Sequence, residues 1–197
     1  MPAALCSLKN LEWVGYLSST SVYGHTGDKE ASENFKTNPT TTHGRRRAKA
    51  EKDWLHLWSE CGLPVHVFRL AAIYGPGRSV IDRLKNGSAQ NIIKPGHYFS
   101  RIHIDDIVSS LKASMLAPNA GQIYNVCRGE SDRIKDILNY LIKRSNKELR
   151  VVVKDSYVKK NDIIDSYGDN SKLIKDTRWN FHVGTYEALD KISGFNS

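Results

Sequence analysis

The chain has 197 residues, 40% of them hydrophobic and 25% charged, which supplies a packed core for one or two domains and excludes a disordered composition. No apolar run approaches the roughly 20 residues that span a bilayer, and Met1-Pro2-Ala3-Ala4-Leu5-Cys6 has no basic segment before it, so a membrane partner and a secretory leader are not expected. The net charge of +8 fits a nucleic-acid surface, a site for an anionic small molecule, or simply a basic exterior.

Trp13–Ser18 is a short, largely apolar run ending in a Ser/Thr/Gly cluster, the pattern of a buried strand in a parallel sheet. A polar loop follows from Gly24 to about Asn38-Pro39. Thr41 or Thr42 then caps a helix that runs to Cys61, where Gly62 stops it and Pro64 prevents its continuation. Its apolar stripe reads Ala50, Trp54, Trp58 and Cys61. On this helix the run Arg45-Arg46-Arg47-Ala48-Lys49, with Lys52, spreads around the axis. No zinc knuckle, helix-turn-helix or aromatic RNA-binding motif accompanies it, so nucleic acid is not the expected partner.

Val65–Leu70 is the next strand, and the strand–helix–strand order predicts a right-handed crossover in a parallel sheet. A helix over Ser79–Asn86 closes at Gly87, another runs from Asp105 to Leu116, and Gln122–Cys127 reads as a further strand. Ser131 is placed to cap a helix with Ile134, Ile137, Leu138, Leu141 and Ile142 on one face. Arg150–Val153 is a short β-branched run, and Ser171–Asp176 and Thr185–Ile192 read as small terminal helices. Cys6, Cys61 and Cys127 are odd in number and widely spaced, neither a disulfide framework nor a metal-ligand pattern, which points to a reducing, cytoplasmic setting.

Four motifs occur in order: Val14-Gly15-Tyr16-Leu17-Ser18-Ser19-Thr20-Ser21-Val22-Tyr23-Gly24, Phe68-Arg69-Leu70-Ala71-Ala72-Ile73-Tyr74-Gly75-Pro76-Gly77, Arg101-Ile102-His103-Ile104-Asp105-Asp106, and Tyr124-Asn125-Val126. The set resembles the extended short-chain dehydrogenase/reductases, the NAD-dependent epimerase/dehydratase family. That resemblance implies an α/β fold: the C-terminal part of a Rossmann-like parallel sheet over residues 1–74, plus a small substrate lobe over 75–197 with a further sheet strand near 122–127.

By the same resemblance, Ser19 would hydrogen-bond the reacting hydroxyl or carbonyl of the substrate. Ser18, Ser19, Arg47, Ala71 and Ile73 would border the nicotinamide end of the cofactor, and Thr20, Tyr74, Arg78 and Arg101 would face the substrate. Lys94 is a further candidate at the pocket's border. His103 and Asp106 would fix a strand-to-helix joint that Asp105 caps. The family's acid/base pair is a tyrosine followed four residues later by a lysine. Gly44 and Glu51 set the register here, and they place His43 and Arg47 at those two positions. Four-residue spacing puts both on one helix face. Histidine can take up a proton near neutrality, but its shorter ring places the nitrogen elsewhere; the guanidinium stays cationic with a different reach. Ordinary polar residues of a first helical turn are an equal reading of the pair.

Dinucleotide binding rests on a strand, a Gly-rich turn and a helix N-terminus facing the pyrophosphate. No such unit precedes Val14, and Gly75-x-Gly77 comes late and lacks the third glycine. The expectation is an N-terminally truncated chain that supplies only the nicotinamide end of a site that takes NAD or NADP in a complete homologue. On its own it should bind either weakly or not at all. The Val14 strand should then be an open sheet edge that invites self-association. Three functions stay open: an epimerase/dehydratase-like enzyme acting on a sugar-like or nucleotide-linked small molecule, a non-catalytic ligand-sensing or scaffold protein on the same fold, and an inactive fragment. No metal site is expected.

Overall fold

The computed structural model describes residues 2–26, 29–79, 81–82, 98–129, 131–145 and 168–194. Its elements, in chain order, are α1 (Pro2–Cys6), β1 (Val14–Ser19), a 3₁₀ turn (Thr20–Val22), α2 (Thr42–Cys61), β2 (Val65–Leu70), β3 (Ala72–Tyr74) and β4 (Tyr98–His103). They continue with α3 (Ile104–Leu116), β5 (Ile123–Val126), β6 (Ser131–Arg133), α4 (Ile134–Ser145), α5 (Ser171–Thr177) and α6 (Thr185–Ser193).

The three anticipated strands form one parallel sheet in the order β1-β2-β5, with Val14 beside Val65 and Ser19 beside Leu70. Every residue of the central strand β2 is buried, which explains its near-continuous apolar reading. One core packs Phe68, Leu70, Tyr124 and Val126 against Ile107 of α3 and against Leu173 and Trp179. Another gathers Leu63, Val65 and Val67 with Trp54, Leu55 and Leu57 of α2. α2 thus crosses between β1 and β2 on one face of the sheet.

The caps of α2 follow the sequence. Thr41 Oγ1 accepts from the Gly44 amide at 3.0 Å, and Gly62 takes the left-handed conformation at φ 70° with its N–H on the Trp58 carbonyl. Its buried face differs from the expected Ala50–Trp54–Trp58–Cys61 stripe. Gly44 and Glu51 are the buried residues of α2, whereas Trp58 is 41% exposed and lies across Gly121. The apolar pattern is out of phase because the most buried side chain of the helix is a carboxylate.

A second, smaller sheet pairs β3 parallel to β4 and β4 antiparallel to β6. These strands were not anticipated: β3 and β6 have three residues each, too few to show a period. Ser131 therefore opens a strand rather than capping the following helix. At α3 the cap is His103, not Asp105: the His103 Nδ1 accepts from the Asp105 amide at 3.2 Å, and Asp105 lies in the first turn. Asp106 reaches across to accept from the His182 and Val183 amides, tying the joint to the C-terminal segment. α4 buries Ile137 and Leu141 against Ile81 and Leu189. Most of the anticipated Ser79–Asn86 helix, and all of Arg150–Val153, lie outside the described residues.

The cysteine reading also changes. Cys6 and Cys61 form a disulfide that fastens α1 to the end of α2, leaving Cys127 buried as a free thiol. An odd count spread over the chain concealed a pair separated by 55 positions. No helix among the described residues is long and apolar enough to cross a membrane.

Candidate functional site

β1 and β2 end side by side, Ser19 opposite Leu70, and the chain turns away from each. In an open parallel sheet the space beyond the carboxyl ends of such strands is where ligands sit. Here it is a cleft of about 440 Å³, lined by residues 17–21 from the end of β1, residues 70–73 from the end of β2, Arg47 of α2 and Arg78. Leu17, Leu70, Ala71 and Ile73 give it an apolar wall, four consecutive hydroxyl-bearing residues from Ser18 to Ser21 line it, with the Ser18 proton already committed to Glu51, and two guanidinium groups give it positive charge.

Ser19 is the last residue of β1, in extended conformation, and its Oγ accepts from the Ser21 amide at 3.2 Å, starting the 3₁₀ turn. Thr20 is buried in that turn. Gly44 allows α2 to approach closely: a Cβ there would stand 2.7 Å from the Ser21 carbonyl oxygen.

Behind Ser18 lies a buried polar network. Ser18 Oγ donates to Glu51 Oε1 at 2.5 Å, and Arg69 grips the same carboxylate through Nη2 at 2.8 Å and Nε at 3.2 and 3.3 Å. Both side chains of this ion pair are about 95% buried, at 4% and 5% exposure. Arg69 Nη1 also donates to the Tyr23 hydroxyl at 2.9 Å, which in turn donates to Asn125 Oδ1 at 2.7 Å. The Asn125 amide donates to Glu33 Oε1 and its side chain donates to the Ala31 and Asp169 carbonyls. Burial pushes the Tyr23 phenol up to about 12 against the lowering effect of Arg69, so it stays protonated. For Arg69, burial opposes the charge, but Glu51 and Tyr23 outweigh it and hold its pKa above the ordinary value. In the sequence, Glu51 and Arg69 stand only as motif positions that set the register. The available signal was a charge inside the otherwise apolar β2 and an acid on the sheet-facing side of α2.

Of the pair at the first turns of α2, Arg47 borders the cleft and donates through Nη1 to the Leu17 carbonyl at 2.9 Å. His43 is exposed and is not among the lining residues, so the structure brings Arg47 to Ser19 without His43. On the other side, Ala71, Ile73 and Arg78 line the cleft. Tyr74 is buried edge-on against His103, ring centroids 5.1 Å apart, and neither it nor Arg101 of β4 is among the lining residues. Lys94 lies outside the described residues. Gly75 and Arg78 exchange backbone hydrogen bonds of 3.3 and 3.0 Å, so these two amides close a tight turn instead of facing a phosphate. Among the described residues no group of three or more His, Cys, Asp or Glu could hold a metal ion.

The donor set suits one end of a nicotinamide dinucleotide: a flat apolar wall for a ring, hydroxyls for ribose or amide, and guanidinium groups for an anion. A Gly-rich unit for the pyrophosphate does not precede β1 in this sequence.

Several known proteins resemble this chain in sequence or in fold. Protein YeeZ of Escherichia coli K12 is 34% identical over 112 residues, which cover 57% of this chain and 38% of YeeZ. A conserved protein of unknown function from Silicibacter pomeroyi DSS superposes with a TM-score of 0.82 at 35% identity, covering 92% of this chain and 66% of that one. A UDP-glucuronic acid 4-epimerase from Bacillus cereus, in complex with UDP-glucuronic acid and NAD, shares the fold at a TM-score of 0.86 and 20% identity, covering 98% of this chain and 64% of that one. The chain therefore spans between about two fifths and two thirds of the length of these proteins. The profile of one family matches residues 3–127, well over half of the sequence and all four motifs: the chain belongs to the NAD dependent epimerase/dehydratase family.

Proposed function

We propose that this chain forms the nicotinamide-end and substrate wall of an NAD(P)-dependent epimerase/dehydratase-type protein, and that its cleft holds an anionic, sugar-like or nucleotide-linked small molecule. The observation that carries the reading is the meeting of Ser19, Arg47 and Arg78 at the carboxyl ends of two parallel strands. Ser19 Oγ already accepts from the Ser21 amide, so its own proton is free to point into the cleft at a ligand carbonyl or hydroxyl. Arg47 supplies a fixed positive charge whose orientation the Leu17 carbonyl sets. A bound nicotinamide ring would supply hydride chemistry. Ser18, Ser19 and Arg47, with the backbone of Ala71 and Ile73, would orient it, and Thr20 and Arg78 would face the second molecule, with residues 75–197 read as the substrate lobe.

The site is better built to hold a ligand than to move its protons. Its tyrosine position is filled by the exposed His43, and its lysine position by an arginine that does not give up its proton. Tyr23, nearby, is engaged in the buried network and protonated. The test is calorimetric titration of the chain with UDP-glucuronic acid and, separately, with NADH. UDP-glucuronic acid should bind, Arg47→Ala should weaken it roughly tenfold or more through a lost charge-assisted bond, and His43→Ala should leave it unchanged. Absence of binding, or binding indifferent to both Arg47→Ala and Ser19→Ala, overturns the assignment. Turnover that His43→Ala abolishes would overturn the holding role in favour of catalysis.

A further inference from the structure

The Cys6–Cys61 disulfide joins the last residue of α1 to the last residue of α2. It lies at the surface: Cys61 is exposed and Cys6 half-buried, in contrast to the free Cys127, which is buried. Surface bridges are the ones a thiol can reach, and they are the class that opens and closes under working conditions, whereas shielded bridges act as permanent staples. What this bridge holds has little else to hold it. α1 is five residues long, too short to stand as a helix without tertiary support. The hydrogen bonds at its end are local, from the Leu8 amide to the Leu5 carbonyl at 3.1 Å and from Ser7 Oγ to the Ala4 carbonyl at 2.8 Å. Leu5 is partly buried against Leu63, Val65 and Val67, while Leu8 is 54% exposed. From Trp13 onward the chain has attachments of its own. The indole Nε1 donates to Ser114 Oγ at 3.1 Å, the ring stacks on His66, and the Val14 amide donates to the Pro64 carbonyl at 2.9 Å.

We propose that this bridge is a redox clasp: a dithiol opens it reversibly, and opening frees residues 2–9 from the end of α2 while the sheet stays folded. The chemistry is thiol–disulfide exchange. A thiolate of the dithiol attacks the exposed Cys61 sulfur, the Cys6–Cys61 bond breaks, and Cys6 leaves as a thiolate that takes up a proton. The second thiol of the reductant then attacks the mixed disulfide and releases Cys61. The protein gains two thiols and an electron pair, and the reductant becomes a disulfide. Closing is the reverse, with a disulfide as the oxidant. The release is local because Trp13 and Val14 are fixed to α3 and to the end of α2 by contacts that the sulfur chemistry does not touch. With α1 freed, Leu5 leaves the cluster of Leu63, Val65 and Val67. The thiol balance around the chain thereby sets whether that apolar end of the sheet is covered. The ligand cleft lies toward the other end of α2, where Arg47 stands about 21 Å along the helix from Cys61, so the clasp governs the cover of the sheet and not the cleft.

The measurement is hydrogen–deuterium exchange of the full chain, read by peptide mass, after oxidised glutathione and after millimolar dithiothreitol. Reduction should speed exchange over residues 2–9 roughly tenfold and leave β1 and β2 unchanged, the signature of a local opening. Cys61→Ser should show the fast exchange without reductant and should not respond to dithiothreitol. Oxidised glutathione, added once the reductant is removed, should restore the slow exchange in the wild type. A bridge that dithiothreitol opens only when urea has unfolded the chain is a permanent staple, and that result overturns the proposal. Exchange over residues 2–9 that is the same in both redox states overturns it as well, as does a chain that oxidised glutathione leaves unbridged. Reduction that releases β1 and β2 together with α1 would also overturn it, since the bridge would then hold the whole fold.

Discussion

The Glu51–Arg69 pair gives the sharpest test of how the site is held. Both side chains are nearly inaccessible and share three hydrogen bonds, and the carboxylate also anchors Ser18 while the guanidinium anchors Tyr23. Removing one partner strands the other charge in a dry environment, which costs about 3–5 kcal/mol. Glu51→Leu and Arg69→Met should each lose that much, a large share of the ~5–15 kcal/mol by which a domain of this kind is stable. The double variant removes both charges at once. It leaves Ser18, Tyr23 and the Glu33 carbonyl short of a partner, for roughly 1–3 kcal/mol in all. The two changes are thus strongly non-additive, with a coupling of about 4 kcal/mol or more. Urea unfolding of the four proteins, with equal slopes required across the set, measures this directly. A double variant as unstable as the sum of the singles would refute the account. So would a single variant that loses less than about 1 kcal/mol, because the pair would then be solvated in a way its burial forbids.

Two further outcomes can be checked on the same preparation. His66 is fully buried in β2 and its Nε2 accepts from the Asn119 amide at 2.9 Å; burial lowers its pKa, with backbone groups at Val14 and Pro64 pulling the other way. The fold therefore prefers the neutral ring, so stability should be complete above the usual 6.5 and decline as pH falls below it, where the unfolded chain takes up a proton the folded one resists. His66→Gln should flatten that arm of a urea-midpoint-versus-pH curve; an unchanged slope would count against it. The Cys6–Cys61 bridge closes a separation of 55 residues, for which chain entropy predicts a loss of up to about 4 kcal/mol on reduction. Alkylation and mass analysis without reductant should label Cys127 alone after unfolding, and two further labelled thiols would show the bridge to be absent.

The larger architecture was legible because its signals are local and redundant. The Thr41 and Gly62 caps, the apolar β2 and the spacing of the three strands all point to one crossover, and each was found where expected. What the sequence concealed is of another kind. The face of α2 was mis-phased because periodicity counts apolar residues, and the residue at its centre is Glu51, whose burial is intelligible only once Arg69 stands opposite. β6 was hidden because a serine ahead of an amphipathic helix reads as a cap, while pairing with β4, about 30 residues away in sequence, decides the matter. In the site, Ser19 and Arg47 could be placed by motif register, but that the cleft lining takes in Arg47 and leaves out His43 depends on where the helix begins relative to the strand, which composition does not encode.

The hydrogen bond from Arg47 to the Leu17 carbonyl has a bearing on solubility. β1 is the outer strand of its sheet among the described residues, and since the Val14 amide is paired with Pro64 toward β2, alternation turns the backbone groups of Gly15 and Leu17 to the open side. An edge of that sort is a template on which another strand can zip. The guanidinium stoppers it at its middle, occupying an acceptor that an incoming strand would need and setting a cation where a neighbouring backbone would lie. One side chain thereby serves two surfaces, lining the cleft and guarding the strand. A substitution chosen only to alter ligand affinity at Arg47 would also unguard the edge, so Arg47→Ala is expected to scatter more light than the wild type at equal concentration, and equal scattering would refute the guarding role.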